Sequence, residues 1–270
     1  MIVLVDGARE ERIPAVDSTV IRGDGVFEAI RSYAGQSFAL DEHLGRLARS
    51  AAAVGIQLPD DDRIGGWVRM LASEGRDGIV RVIVTRGDAL PGRSESARIL
   101  VIHHPVPFTP STVRLAPMRA PWHPAGREWE LAGVKTTSYA PNAAATRRAV
   151  ASGLDDALLL ADDDTVLEGP TFCVGWVRAG AVRTPSLGLG ILDSITRRHV
   201  LSVAGNLEIP VEEGRYPFDD MASADEVFAM STVKEVTAVV SLGDRHLSAG
   251  PVTERLRAGL RARIVSTLRN

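Results

Sequence analysis

The sequence predicts an α+β fold in two domains, and three observations lead there. Apolar, β-branched runs alternate with two amphipathic helical stretches over the first hundred residues. Prolines then recur at 105, 107, 110, 117, 121 and 124, and the remainder is again strand-rich with helices between. Strands and helices in this order favour an α+β layer over a Rossmann unit. Ile2–Val5 reads as a first strand closed by an Asp6-Gly7 turn. Val26–Tyr33 and Ser37–Leu40 read as a hairpin around Ala34-Gly35-Gln36. Asp41 is expected to cap a helix in which Leu44, Leu47, Ala51 and Val54 recur at helical spacing. A second helix after Pro59 aligns Ile64, Trp67, Val68 and Leu71, and Gly78–Arg86 with Ala97–Val106 reads as a second hairpin.

The prolines place the domain junction. The expected division is a small N-terminal domain at 1–108, an interdomain loop at 109–122 and a larger C-terminal domain at 123–270. Strands are expected there at Asp156–Ala161, Thr165–Glu168, Cys173–Val177, Ala181–Thr184, Val227–Ser231 and Thr237–Leu242. Helices are expected over Asn142–Ser152, Ile195–Ala204 and Val252–Leu268; in the last, Val252, Leu256, Leu260 and Ile264 stand four apart.

Composition narrows the function. With 270 residues, 45% of them apolar, the chain can bury a sizeable core. A net charge of −3 and no basic tail argue against nucleic acid or an anionic membrane as partner. The longest stretch without a charged side chain, Ile99 to Val113, contains two His and three Pro, so no span of a bilayer is expected. Met1–Gly7 turns acidic too soon for a signal peptide, and a single cysteine, Cys173, fits a reducing cytoplasm.

Several chemical-looking signals read as ordinary structure. His103 and His104 are neighbours on a strand and point to opposite faces, so no shared metal is expected. Asp60-Asp61-Asp62 and Asp162-Asp163-Asp164 read as solvated turns. Gly188-Leu189-Gly190 lacks the rest of a dinucleotide fingerprint, and neither a phosphate-binding loop nor a nucleophile elbow is present.

The basic residues are more telling. Of 31 Lys plus Arg, only Lys135 and Lys234 are lysine. In a chain that uses arginine for nearly every positive charge, a retained lysine points to a task arginine cannot do, such as losing its proton and forming an imine; the alternative is chance survival of two surface lysines. Lys135 lies among small residues just before a helix, whereas Lys234 beside Glu235 reads as an exposed ion pair. Glu168-Gly169-Pro170 sets an acid at a strand end. Gly190–Arg197 forms a turn entering a helix, where free N–H groups suit a phosphate.

Seven segments in register then resemble the class IV, fold-type IV pyridoxal-phosphate enzymes. They are Arg22-Gly23-Asp24-Gly25-Val26-Phe27-Glu28-Ala29-Ile30-Arg31, Leu40–Leu47 with Ser50-Ala51, Lys135 with Tyr139 and Glu168, Thr184-Pro185, Ile191–Arg197, Ala224–Phe228, and Gly250–Thr253. The resemblance spans nearly the whole chain. It implies a small N-terminal α/β sandwich, a larger C-terminal pseudo-barrel, and pyridoxal 5'-phosphate as cofactor. Lys135 would carry the cofactor as an imine and move the α-proton; Glu168 would keep the ring nitrogen protonated; Tyr139 would reach the phenolic oxygen. Arg46 would bind the phosphate with Ile195, Thr196 and Thr232, while Leu192 and Ser231 complete the cofactor set. Phe27, Arg31, Arg81 and Val233 fall on the substrate side. The structural alternatives are a helix-surface cation for Arg46, a strand-end charge for Glu168, an N-cap for Thr196 and an outward strand residue for Arg81. One departure is Cys173, which stands where the family usually has Asn.

Within the family the motifs diverge. Phe27, Arg31 and Arg81 resemble branched-chain aminotransferases, the last suiting a dicarboxylate acceptor. Ser231-Thr232 with Glu235-Val236-Thr237 is closer to D-amino-acid enzymes, and Lys135-Thr136-Thr137-Ser138-Tyr139 resembles aminodeoxychorismate lyases. The resemblance therefore implies a transaminase joining a small apolar amino acid or amine to a 2-oxo acid. The alternatives are a lyase that eliminates pyruvate from aminodeoxychorismate, a D-amino-acid or (R)-amine transaminase, and a silent cofactor binder. It also implies a homodimer with shared sites, to which Phe27, Arg31 or the Arg86–Arg93 turn would contribute.

Overall fold

A computed structural model describes residues 1–59, 61–90 and 96–269. Asp60 of the first acidic triplet and the Pro91-Gly92-Arg93 part of the expected turn lie outside the described residues. The chain forms two compact units. The first comprises Met1–Phe108 together with Val134–Tyr139 and the C-terminal residues from Thr267; the second comprises Thr109–Gly133 and Ala140–Ser266.

In unit 1 the elements are β1 (Ile2–Val5), β2 (Ala8–Arg9), α1 (Ser18–Arg22), β3 (Gly25–Tyr33), β4 (Gln36–Ser37), α2 (Leu40–Ala53), α3 (Asp61–Gly75), β5 (Gly78–Thr85) and β6 (Arg98–His104). The strands form one sheet ordered β2-β1-β6-β5-β3-β4, antiparallel at every pairing. Alternation divides its faces. Leu4, Val26, Ile30, Val80, Val82, Val84, Ile99 and Val101 share one core cluster with Leu47, Ala51, Ile64, Val68 and Leu71 of α2 and α3. Burying each Leu, Ile or Val stabilises by about 1.5–3 kcal/mol. On the opposite face, register lines up Val5, Leu100, Ile83 and Phe27 in one row and Val3, Ile102, Arg81 and Ala29 in the next. Of these eight only Phe27 is fully buried. α2 starts two residues earlier than expected, its N-cap being Ala39 in the left-handed region (φ 54°), so Asp41 lies in the first turn rather than at the cap.

Unit 2 contains β7 (Thr112–Arg119), α4 (Ala140–Ala151), β8 (Asp156–Leu160), β9 (Cys173–Arg178), β10 (Ala181–Pro185), α5 (Ile195–Asn206), β11 (Val211–Gly214), α6 (Phe218–Ala222), β12 (Glu226–Ser231), β13 (Glu235–Leu242), β14 (Arg245–His246) and α7 (Pro251–Arg269). Its sheet runs β11-β10-β9-β12-β13-β7-β8, with β14 on β13. β7 and β8 are parallel, and β8 is buried along its whole length, as parallel strands covered on both faces are. Leu158 and Leu160 enter one core with Trp176 and Val174; Ala157 and Leu159 enter another with Ala145 and Ala149 of α4.

The segment 109–122, expected as an interdomain loop, carries β7 instead. Its proline is tolerated because Pro117 lies beyond the last residue paired with β13, Leu115, and borders only β8. Thr165–Glu168, expected as a strand, makes isolated bridges, since its residues pair in turn with Leu160 and Pro217 and build no continuous ladder. No described helix is long and apolar enough to cross a membrane.

Candidate active site

Lys135 is seated by β3, although 101 residues lie between them in sequence. Phe27 N–H donates to Lys135 O (3.0 Å), Lys135 N–H to Ser50 Oγ (3.3 Å) and Thr137 N–H to Gly25 O (2.8 Å). Thr137 Oγ1 and Ser138 Oγ both donate to Gly23 O (2.7 and 2.9 Å). Val134 packs into the unit 1 core beside this seam. The lysine Nζ lies 4.2 Å from the Phe27 ring centre and 5.8 Å from that of Tyr139; the two rings meet edge to face at 5.3 Å. Arg81 Cζ stands 5.4 Å over the same Phe27 ring. Burial lowers the pKa of this guanidinium, and only Tyr139 opposes the shift. Arg81, on the sheet face away from α2 and α3, is thus half-buried against Phe27 rather than solvated. Arg31, on the same face of β3 as Phe27, has its guanidinium 4.8 Å over the Tyr33 ring.

Arg46 is not a helix-surface cation. His43, Arg46, Leu47, Ser50 and Ala51 form the buried stripe of α2. That stripe places Arg46 Nε 2.7 Å from Glu28 Oε1 and Nη2 2.8 Å from Oε2, with His43 Nδ1 2.7 Å from Oε2. Burial alone would raise the Glu28 pKa, but the Arg46 fork and His43 outweigh it and hold the carboxyl at about 2.

Unit 2 organises a second set. Glu168 leaves β8's partner segment, where its carbonyl accepts Leu159 N–H (2.8 Å), and its Oε2 accepts Leu192 N–H (3.2 Å). A Cβ on the next residue, Gly169, would stand 2.1 Å from the Phe172 ring, so only glycine lets that ring close beneath the turn. Cys173 Sγ donates to Leu192 O (3.7 Å), bracing the residue that holds Glu168. His123, absent from the sequence-based site, is buried and reaches Glu168 Oε1 at 3.5 Å. The available signal was a histidine fixed between Trp122 and Pro124 inside the proline-rich stretch.

At the start of α5 the N-cap is Ser194, whose Oγ accepts Arg197 N–H (3.2 Å); Thr196 is therefore not the cap. Helix geometry leaves the N–H groups of Ile195 and Thr196 without intrahelical partners. Ser231 Oγ accepts Lys234 N–H (3.0 Å), closing the turn that carries Thr232 and Val233. Lys234 is not an exposed partner of Glu235: its Nζ is 3.6 Å from Asp156 and 5.0 Å from the Phe172 ring, while Glu235 pairs with Arg261. Consecutive residues at this turn diverge, Glu235 having a left-handed φ of 53°.

A family model described as amino-transferase class IV matches residues 25–242. The chain belongs to the class IV aminotransferases. This class IV aminotransferase is 30% identical over 268 residues to a putative branched-chain-amino-acid aminotransferase of Methanocaldococcus jannaschii, covering 92% of this chain and 90% of that one. It is 28% identical over 290 residues to a bifunctional aminodeoxychorismate lyase / D-amino acid transaminase of Mycobacterium tuberculosis, covering 98% and 99%. Among solved structures it is similar to a fold-type IV transaminase of Curtobacterium pusillum, with 32% identity, a TM-score of 0.82 and coverage of 94% and 91%. Class IV aminotransferases use pyridoxal 5'-phosphate.

Proposed function

We propose that this enzyme is a transaminase that moves an amino group between a small apolar, branched-chain-like amino acid or amine and a 2-oxo acid. The observation that carries the reading is the setting of Lys135. An amine set against the Phe27 and Tyr139 rings, with a half-buried arginine over the same Phe27 ring, is placed for covalent and proton-transfer chemistry. The donor set fits pyridoxal phosphate: an amine for its aldehyde, a carboxylate for its ring nitrogen, and helix N–H groups for its phosphate.

When bound, the cofactor supplies an aldehyde and an electron-withdrawing ring. Lys135 would bind the aldehyde and, once released, take up and return the α-proton of the substrate. Glu168, held by Leu192 N–H, would accept from the ring nitrogen, and Tyr139 would donate to the phenolic oxygen. Ile195 and Thr196 N–H, Thr232, Ser231 and Arg46 would hold the phosphate. Phe27 and Val233 would shape an apolar side-chain pocket, and Arg81, with Arg31, would meet a second carboxylate on the 2-oxo acid.

A homodimer belongs to the same proposal. The Val5-Leu100-Ile83 and Val3-Ile102 rows leave apolar side chains half covered within the chain, which a second copy would bury. The deciding experiment offers single amino donors to the cofactor-loaded enzyme without an acceptor. Branched-chain donors should convert the visible absorbance to that of the pyridoxamine form. Failure of every donor, together with pyruvate release from aminodeoxychorismate, would replace the transaminase with a lyase.

A further inference from the structure

We infer that His123 is a positioning residue for Glu168, holding the carboxylate that faces the cofactor's ring nitrogen; the inference rests on the proposed role of Glu168. The imidazole has its two nitrogens committed differently. Ala125 N–H donates to Nδ1 (3.1 Å), and a backbone N–H can only donate, so Nδ1 is an acceptor and the ring proton resides on Nε2. That Nε2 stands 3.5 Å from Glu168 Oε1, while Leu192 N–H occupies Oε2. The carboxylate is thereby approached by one donor at each oxygen. Rotation about its last bond would break the Leu192 bond and move Oε1 away from the imidazole.

The turn that presents His123 is pinned on all sides. His123 N–H donates to Ala120 O (2.9 Å), Arg127 Nη2 to His123 O (3.2 Å), Arg215 Nη2 to Ala125 O (2.6 Å) and Gly126 N–H to Leu189 O (3.0 Å). Ala125 itself is held at φ 52°, a conformation unfavourable for a residue with a Cβ, so the turn that delivers its N–H to Nδ1 is a constrained one. A histidine that merely filled space would not need its tautomer fixed.

The test reconstitutes the enzyme with cofactor labelled at the ring nitrogen and follows that nitrogen by ¹⁵N resonance, beside steady-state kinetics. In His123→Phe the resonance should move toward the unprotonated position, and kcat should fall roughly 10- to 100-fold, with the donor KM within about threefold of wild type. His123→Gln, whose amide can donate to Glu168, should recover most of both. A wild-type resonance in His123→Phe overturns the inference, whatever its activity. Glu168→Gln is the reference: if it too leaves the resonance in place, the role of Glu168 is what has failed. A measurement on the unaltered protein guards against a variant that does not fold. Long-range ¹H–¹⁵N correlation of His123 should show the Nε2–H tautomer, and an Nδ1–H tautomer overturns the inference.

Discussion

At the scale of single residues, Lys135 and Glu28 show two opposite uses of charge. Lys135 has its amine against aromatic faces, and arginine there would keep a cation while losing the ability to form an imine. Lys135→Ala should therefore fold yet show no imine absorbance with pyridoxal phosphate, only that of the free aldehyde, and no cofactor trapped by borohydride. Trapping that persists and maps to Lys234 would move the role to that residue. Glu28 is structural: it is fully buried and anionic between Arg46 and His43. Its pKa is about 2 rather than the ordinary 4.5, so the native state favours the anion. The resulting stabilisation is complete above about pH 4.5 and is lost as pH falls toward 2. It amounts to something on the order of 3 kcal/mol. Glu28→Gln should lower stability at neutral pH, and urea titrations at pH 7, 4 and 3 should show the gap to wild type narrowing. A gap that stays constant would mean that Glu28 stabilises by packing alone.

Elements were legible where periodicity is long and obscure where it is short. The stripe of Leu44, Leu47, Ala51 and Val54 located α2, and the β-branched runs located β5 and β6. α1, with five residues, and β2 and β14, with two each, carry too few periods to be read from sequence. β7 was hidden by its proline, whose harmlessness depends on where the neighbouring strand ends. The same limit applies to the candidate site. Lys135, Phe27, Tyr139 and Arg81 stood out by motif and gather in unit 1. His123 did not, because its significance comes from a turn conformation and a neighbour 45 residues away. α5 offers a test at this scale. Ser194→Ala removes the acceptor for Arg197 N–H and should destabilise the helix start by about 1 kcal/mol. Cofactor affinity should weaken as well, because the Ile195 and Thr196 amides depend on an ordered first turn. Equal affinity in calorimetric titration would separate phosphate binding from that turn.

For the whole molecule, the apolar rows opposite the unit 1 helices set the expectation. Sedimentation at low micromolar concentration should give a dimer, since interfaces of this permanent kind bury more than roughly 2,000 Å². Ile102→Asp, at the middle of one row, should shift it to monomer. A fully active wild-type monomer would show that no neighbouring copy completes the site. The course of the chain has a different consequence. It leaves unit 1 after Phe108, returns for the six residues Val134–Tyr139, and departs again. The lysine and the backbone that seats it thus lie on opposite sides of the most natural point at which two relatives could exchange their N-terminal halves. A hybrid joined near residue 108 would inherit Lys135 from one parent and Phe27, Gly25 and Ser50 from the other. Evolution or a protein engineer can shuffle these halves only if both parents agree at that seam, so the setting of Lys135 is where such hybrids meet their first incompatibility.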